Sequence, residues 1–569
     1  MRLVWLSVNS SYSHSSLALP MLHLAAEHLG NWQWECIEAT IAEQPGELAV
    51  RLFELQPDLV CASFYLFNSA ALLAILERFK VLRPECPVVV GGPECLGPGA
   101  EEVLRRSMAL DCAVSGEGED CLPKIMQSIE AGRFPEIFSG AACRFPGGEI
   151  HSCGTSPSLQ YSAWKDAPAP VLSQFFRSDK PFVQMETTRG CPHGCLYCTS
   201  CRSPVRSKTL EQVRQELQLL EQKGIREIRL LDRTFNLPES RAVSLLRLFR
   251  QEFPLLRFHL EIHPQYLGAE LRQELQLARP GQLHLEAGVQ SLSDEVLRAI
   301  GRDSSAELSM SGLKFLCSSR AFDTHSDLLA GLPRQTFPSL LNDIKELVAV
   351  GPAEIQLEIL KILPGTPLRK MAGQLNVLFN PSPPYEVLQS DCFSASELII
   401  AAMLSRMLDL FYNQPALQDS FRQLAQNNRQ FLEHFSDFLQ RQGFSAQWSG
   451  SLKKRFCLLA DYIDPTWHDC AASLAFNWLK AGLTLAETPF HQPEQIDLLP
   501  ENSELLEGNI AVLTHKNTRL WQLKTKQNTF IFALNRAISM QTPCAIWTRT
   551  HGHTDTRTHG RTHTDLTRT

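Results

Sequence analysis

Short apolar runs alternate with stretches of helical periodicity through residues 1–135. Arg2–Val8, Leu59–Ser63, Pro87–Val90 and Cys112–Val114 predict strands, and Leu17–Leu29, Ala70–Phe79, Ala100–Met108 and Pro123–Ala131 predict helices between them. This alternation implies a doubly wound parallel sheet covered on both faces, with ligands expected in the loops that leave the strand ends. Asn9–Ser16, Ser63–Asn68, Gly91–Cys95 and Ser115–Glu119 occupy those loops. The uncharged run Leu59–Leu76 is long enough to raise the question of a membrane span. Ser63, Asn68 and Ser69 interrupt it, so it reads as a buried strand, a polar turn and a helix, and no membrane partner is expected.

Periodicity fades over residues 136–176, where Phe145-Pro146-Gly147-Gly148 and Asp166-Ala167-Pro168-Ala169-Pro170 mark a connector. It returns in residues 177–385, with strand-like runs at Phe182–Met185, Glu227–Leu231, Phe258–Ile262, Leu283–Val289, Asp327–Ala330 and Ile355–Leu360. Helical segments separate them, the pattern of a complete or partial βα barrel. After Pro381-Ser382-Pro383-Pro384 the signal is helical alone, which predicts an all-helical C-terminal domain over residues 386–515. Residues 516–569 read as a variable tail. Its end, Thr548–Thr569, holds nine Thr, four Arg, four His and one aliphatic residue, a composition that cannot build a core and predicts disorder. The whole is an α/β chain with a helical appendage.

Composition narrows the function. The 569 residues, 44% of them hydrophobic, suit roughly three or four domains of ordinary size. Lys and Arg total 54 against 61 Asp and Glu, a formal charge of -7, which argues against nucleic acid as a partner. The 17 cysteines fall far below the ~8–10% of a disulfide scaffold, so reduced thiols in a cytoplasm are expected.

Three of those cysteines crowd into eight residues of Thr187-Thr188-Arg189-Gly190-Cys191-Pro192-His193-Gly194-Cys195-Leu196-Tyr197-Cys198. Thiols spaced CxxxCxxC on one loop after a strand can hold three irons of a cubane cluster and leave the fourth iron open for a small ligand. Gly190 and Gly194 let the backbone turn closely around such a cluster. A zinc site built from the same three thiols with Cys201 or His193 is the alternative that the residues leave open.

The segment resembles the signature of the radical SAM enzymes. In that family three cysteines bind a [4Fe-4S] cluster, and the open iron chelates S-adenosylmethionine for reductive cleavage to a 5′-deoxyadenosyl radical. The resemblance makes Cys191, Cys195 and Cys198 the cluster ligands, with Tyr197 beside them, and leaves Cys201 outside the motif. It implies an electron donor such as flavodoxin or ferredoxin. Later segments follow in the order of the family's strands: Leu230-Leu231-Asp232-Arg233-Thr234-Phe235-Asn236, Leu260-Glu261-Ile262-His263-Pro264, Glu286-Ala287-Gly288-Val289-Gln290-Ser291, Asp327-Leu328-Leu329-Ala330-Gly331-Leu332-Pro333 and Leu363-Pro364-Gly365-Thr366-Pro367-Leu368. By this resemblance Glu261, Gln290 and Ser291 are candidates to bind the ribose or methionyl group, and Gly331 to let the cofactor approach. The family's Gly-Gly-Glu after the second strand is absent, and nothing in the sequence names a replacement.

A doubly wound domain ahead of such a core resembles the cobalamin-binding domain of the cobalamin-dependent radical SAM subgroup, in particular its uncharacterised branch with a helical C-terminal domain. Ser63, Gly91-Gly92 and Gly116-Glu117-Gly118-Glu119 at the strand ends carry this resemblance, together with His14 in the first loop. Where histidine-on corrinoid proteins read DxHxxG, this chain has Tyr12, His14 and Leu17, so only the histidine matches. The resemblance implies a radical SAM enzyme that uses bound cobalamin to methylate an unactivated carbon of an unknown substrate. The same cofactor pair also serves rearrangement or oxidation. Other readings are a cobalamin-free radical enzyme acting on RNA or protein, and a structural iron–sulfur or zinc protein.

Overall fold

The computed structural model describes residues 1–153, 164–500, 502–508, 518–526, 528–534 and 542–550. They fall into two compact units, Met1–Ser405 and Arg406–Thr569.

The first unit opens with a seven-stranded sheet. Its strands are β1 (Arg2–Asn9), β2 (Gln33–Thr40), β3 (Leu59–Ser63), β4 (Val88–Gly91), β5 (Cys112–Val114), β6 (Ala141–Arg144) and β7 (Ile150–Ser152), and the order is β2-β1-β3-β4-β5-β6-β7. The first five are parallel, as the alternation of apolar runs and helices predicts. Central strands are apolar on both sides because helices cover both faces. Val4, Leu6 and Val8 pack on one face with Leu52, Leu72 and Phe79, while Leu3 and Trp5 pack on the other with Leu122, Ile125 and Met126. Each fully buried side chain of this kind stabilises the fold by roughly 1.5–3 kcal/mol.

Two features of this sheet differ from the sequence expectation. β2 was hidden because it is an edge strand whose Trp34, Ile37 and Ala39 are buried between exposed or half-buried polar residues, so it lacks an apolar run. Part of the expected connector is also sheet: β6 and β7 form a hairpin that extends the edge antiparallel to β5. Phe145-Pro146-Gly147-Gly148 is its turn, with both glycines at positive φ.

The second sheet contains β8 (Val183–Met185), β11 (Glu227–Leu230), β12 (Arg257–Ile262), β13 (Leu283–Gln290), β14 (Phe322–Ala330) and β15 (Glu354–Ile359). Its order is β15-β14-β13-β12-β11-β8, all parallel, and it stays open as a partial barrel. Buried residues such as Phe258, Leu260 and Ile262 alternate with half-buried ones that face the inside. A separate hairpin, β9 (Thr188–Cys191) with β10 (Ser203–Ser207), carries the cysteine loop between its strands.

Polar contacts lock the two sheets together. Tyr385 donates its hydroxyl hydrogen to Glu94 Oε2 at 2.6 Å, and Arg369 Nη2 meets Glu102 Oε2 at 2.8 Å. Lys180 Nζ donates to the Tyr12 carbonyl and pairs with Glu38, both at 2.8 Å.

In the second unit, helices at Pro415–Asn427, Phe431–Arg441, Leu452–Tyr462 and His468–Lys480 meet the expectation of a helical region. The all-helical expectation is corrected by an antiparallel sheet of five strands, in the order Glu494–Ile496, Arg519–Lys524, Asn528–Leu534, Ala545–Thr550 and Glu504–Gly508. The segment expected as a variable tail supplies its centre, where Ile531, Ala533 and Trp547 are buried. Of the Thr-rich end, residues 551–569 lie outside the described residues. Among the described residues no helix is long and apolar enough to cross a membrane.

Candidate functional site

The cysteine loop hangs from buried, well-tied backbone. Asp232, at the end of β11, accepts from the Thr187 and Thr188 N–H groups at 2.7 and 2.9 Å and also from the Thr187 hydroxyl. Asp232 is thus committed to the loop and stands 1% exposed. Gly190 has φ +95°, and a Cβ there would lie 2.1 Å from the Pro204 carbonyl oxygen across the hairpin, so only glycine fits.

Cys191 and Cys195 are buried and Cys198 is half-buried. Arg302 Nη1 lies 3.6 Å from Cys195 Sγ, and the Ser200 N–H donates to Cys198 Sγ at 3.4 Å. Donors aimed at sulfur suit thiolates that ligate iron, because they stabilise the anionic form and tune the cluster. Among the described residues no group of three or more His, Cys, Asp or Glu side chains closes on a point that would take a single metal ion. Thiolates sharing one zinc at ~2.3 Å must lie far closer together than those on separate corners of a cubane. Three thiols on one loop are the donor set that a cubane cluster with one open iron takes.

Tyr197 packs half-buried beside Cys195 and Cys198. Glu261 stands opposite Glu286 in the β12–β13 register, on the inner face of the partial barrel. Burial, with Glu286 and Asp327 nearby, pushes its carboxyl up to about 7 against the pull of Arg233. The same face carries His259 Nε2 at 2.9 Å from Glu286 and His325 Nε2 at 3.1 Å from Asp327. Gln290 has φ +71° at a register break between β13 and β14. Two candidates are already engaged. Ser291 is fully buried and donates to Asp343 Oδ2 at 2.8 Å, and Gly331 packs under Leu398 and Val387 while its N–H donates to Gln335 Oε1 at 2.9 Å.

A cavity of about 410 Å³ opens between the strand ends of the front sheet and the cysteine hairpin. Ser63, Gly91 and Gly92 line it from one side, and Thr188, Gly190 and Ser203 from the other. Gly92 has φ +95° and its missing Cβ would strike the Phe64 carbonyl oxygen at 2.6 Å, so its glycine serves the turn. The cavity has an apolar floor, including Leu17, Val90 and Leu122, and a rim of carboxylates and guanidiniums. That combination suits a corrin, whose apolar ring is fringed with amide arms. His14 is not among its lining residues. It lines an adjoining cavity of about 110 Å³, where its Nδ1 is 2.8 Å from Ser11 Oγ and its ring meets Phe182 edge-on.

Sequence reasoning gave no role to the arginines that join cavity and cluster loop. Arg189 pairs with Glu117 at 3.0 Å, Glu119 at 2.9 Å and Glu186 at 2.9 Å, and its guanidinium lies 5.1 Å from the Trp164 ring centroid. These three carboxylates hold its guanidinium far above its ordinary range despite burial. Arg206 also pairs with Glu117, and Arg233 spans from the cavity to Glu261 at 3.8 Å. The signal for them was position alone: Arg189 stands two residues before Cys191, and Arg233 directly follows the strand-end Asp232.

Comparison with known proteins matches two segments of the chain to families. Residues 185–347 match the Radical SAM superfamily, and residues 373–533 match a protein family of unknown function, DUF4080. An uncharacterized methyltransferase of Pyrococcus horikoshii, PH0819, is 25% identical over 303 residues, covering 51% of this chain and 64% of its own length. The radical S-adenosylmethionine methyltransferase TsrM from Kitasatospora setae, solved with tryptophan and a SAM analogue, superposes with TM-score 0.54 at 20% identity, covering 67% of this chain and 77% of that one. OxsB, a cobalamin-dependent S-adenosylmethionine radical enzyme solved with aqua-cobalamin, gives TM-score 0.58 at 14% identity, covering 84% and 80%. At these identities the two structures establish the shared fold.

Proposed function

We propose that this chain, whose residues 185–347 form a radical SAM domain, is a cobalamin-dependent radical SAM methyltransferase that methylates an unactivated substrate carbon. One observation carries the reading: the cavity at the front sheet's strand ends shares its wall with the hairpin that bears Cys191, Cys195 and Cys198. A corrin held there would share that wall with the loop that carries the three cysteines. Together the bound groups supply a carbon-centred radical and a methyl donor, the chemistry that belongs to cofactors and not to side chains.

The protein's own part is binding, orientation and exclusion of water. Cys191, Cys195 and Cys198 hold the cluster, and Arg302 and the Ser200 N–H steady two of the sulfurs. Arg189, fixed by three carboxylates from both sheets, keeps the hairpin in register with the cavity rim. Glu261 holds a proton near neutral pH on the barrel's inner face, where a hydroxyl or amine of a bound ligand can meet it as acceptor or donor. A flavodoxin or ferredoxin would supply the electron, and a reduced cytoplasm suits both cluster and thiols.

Anaerobic reconstitution with iron, sulfide and hydroxocobalamin tests the proposal. The expected result is retained corrin absorbance together with 5′-deoxyadenosine formed from S-adenosylmethionine, and transfer of a deuterated methyl group to product. 5′-Deoxyadenosine without retained corrin would reduce the enzyme to a cobalamin-free radical SAM protein.

A further inference from the structure

The C-terminal unit holds a cavity that the radical chemistry does not use. It is open to solvent, with Asp419, Gln426, Asn427 and Lys526 exposed, spans about 620 Å³ and lies within the stretch matched by the family of unknown function. One wall is the helix Pro415–Asn427, which turns Asp419, Arg422, Gln423, Gln426 and Asn427 to the cavity, spaced as one helical face. The second is the helix His468–Lys480, through Asp469, Ser473 and Phe476. The tip of the hairpin between Arg519–Lys524 and Asn528–Leu534 closes the third side with Lys526, Asn528 and Phe530.

The chemistry of this lining is specific. Asp419 and Asp469 balance Arg422 and Lys526, so the cavity offers no net charge to draw a phosphate or an ammonium group. Beside these charges the lining carries carboxamides. Gln423 Oε1 is shielded from water without a hydrogen-bond partner, and the side-chain amides of Gln426 and Asn528 bond to no other described group. Asn427 uses its Nδ2 on Cys470 Sγ at 3.4 Å and keeps its carbonyl oxygen for the cavity. Each carboxamide presents a donor and an acceptor side by side, the complement of neighbouring hydroxyls, which also donate and accept. Phe476 and Phe530, with ring centroids 4.6 Å apart, add a half-buried aromatic surface against which an apolar C–H face can stack.

We propose that this cavity is a second binding site, for an uncharged polyhydroxylated ligand of the saccharide class. The site is independent of the radical reaction and of the cofactors assigned above. Net-neutral and partly amide-lined, it would select hydroxyl patterns over phosphorylated sugars, because the balanced charges leave an added phosphate without net compensation.

Saturation-transfer difference NMR and calorimetry on the full-length protein test it, with glucose, galactose, N-acetylglucosamine and maltose as probes. Saturable binding of at least one probe is expected, weakened about tenfold or more in the Gln426→Ala, Asn528→Ala double variant as hydrogen bonds are lost. The melting curve of that variant should match the parent, since neither amide has an intramolecular partner to lose. The proposal is overturned if no probe saturates, if the double variant binds equally well, or if uridine or glucose 6-phosphate binds more tightly than every neutral saccharide.

Discussion

Cys191, Cys195 and Cys198 differ from the chain's other thiols in what surrounds them. Cys61 and Cys95 are sealed in the front sheet's core, where burial pushes their thiols far up and leaves them inert, whereas the loop cysteines have N–H donors and Arg302 close by. Alanine at any of the three is therefore expected to abolish bound iron in anaerobically reconstituted protein, while Cys201→Ala retains it, as measured by iron and sulfide content. His14 makes the opposite expectation. Because it lines the adjoining cavity, His14→Ala should leave the absorbance spectrum of bound corrin unchanged; a shift would place its imidazole on cobalt. Asp343 links a single residue to pH. Only 2% exposed, it is pushed by burial up to about 6, against the pull of the Leu292 N–H and the Ser291 hydroxyl. The folded state thus binds this proton more tightly than the unfolded chain does. Its contribution to stability is full below the unfolded value of ~3.9 and is lost as pH rises through about 6, a difference of about 3 kcal/mol. Asp343→Asn should flatten that part of the dependence of Tm on pH between ~4 and ~6. An unchanged slope in thermal melts would show that the carboxyl is ionised throughout.

At the scale of elements, the hairpin of β9 and β10 decides whether the cluster loop forms. Gly190→Ala combines a left-handed backbone, costing ~1–2 kcal/mol for a residue with a Cβ, with an overlap against the Pro204 carbonyl. It should lose most of its iron. Gly224→Ala, at φ +81° with nothing within 4 Å, carries the same backbone cost without the overlap and should keep its iron, so the pair separates hairpin geometry from general strain. Legibility in the sequence follows the same physics. The strands of the partial barrel were readable because buried residues recur at every second position: Leu283–Gln290 was expected almost to its ends. β2 was not, since its buried Trp34, Ile37 and Ala39 are split between the sheet's two faces and separated by polar residues, so no apolar run marks it. The strand Arg519–Lys524 was missed for a similar reason, with only Leu520 and Leu523 buried. Within the site, the cysteines were legible from spacing alone. The pairing of Arg189 with Glu117 and Glu119 was not, because it joins residues about 70 positions apart that only the docking of two sheets brings together.

For the molecule as a whole, cofactor binding and stability should be linked in one unit and absent from the other. Ser63, Gly91, Glu117, Glu119, Arg189 and Gly190, which line the 410 Å³ cavity, all belong to Met1–Ser405. The second unit, Arg406–Thr569, has its own buried centre around Phe421, Phe435 and Trp478. Two such units are expected to melt as two transitions. A ligand that binds only the native state adds stability in proportion to the logarithm of its saturation, ~2.7 kcal/mol at a hundredfold excess over Kd. Hydroxocobalamin at such an excess should therefore raise the transition of the first unit by a few degrees and leave the second where it was. Differential scanning calorimetry reads both at once, and hydrogen exchange assigns each transition, since protection should rise on β3, β4 and the β9–β10 hairpin together. Protection confined to the front sheet would mean that corrin is held by that sheet alone, and the placement of cobalt beside the cluster would fall. Protection on both sides of the cavity is what a corrin shared between front sheet and cysteine hairpin requires, because neither wall encloses it without the other.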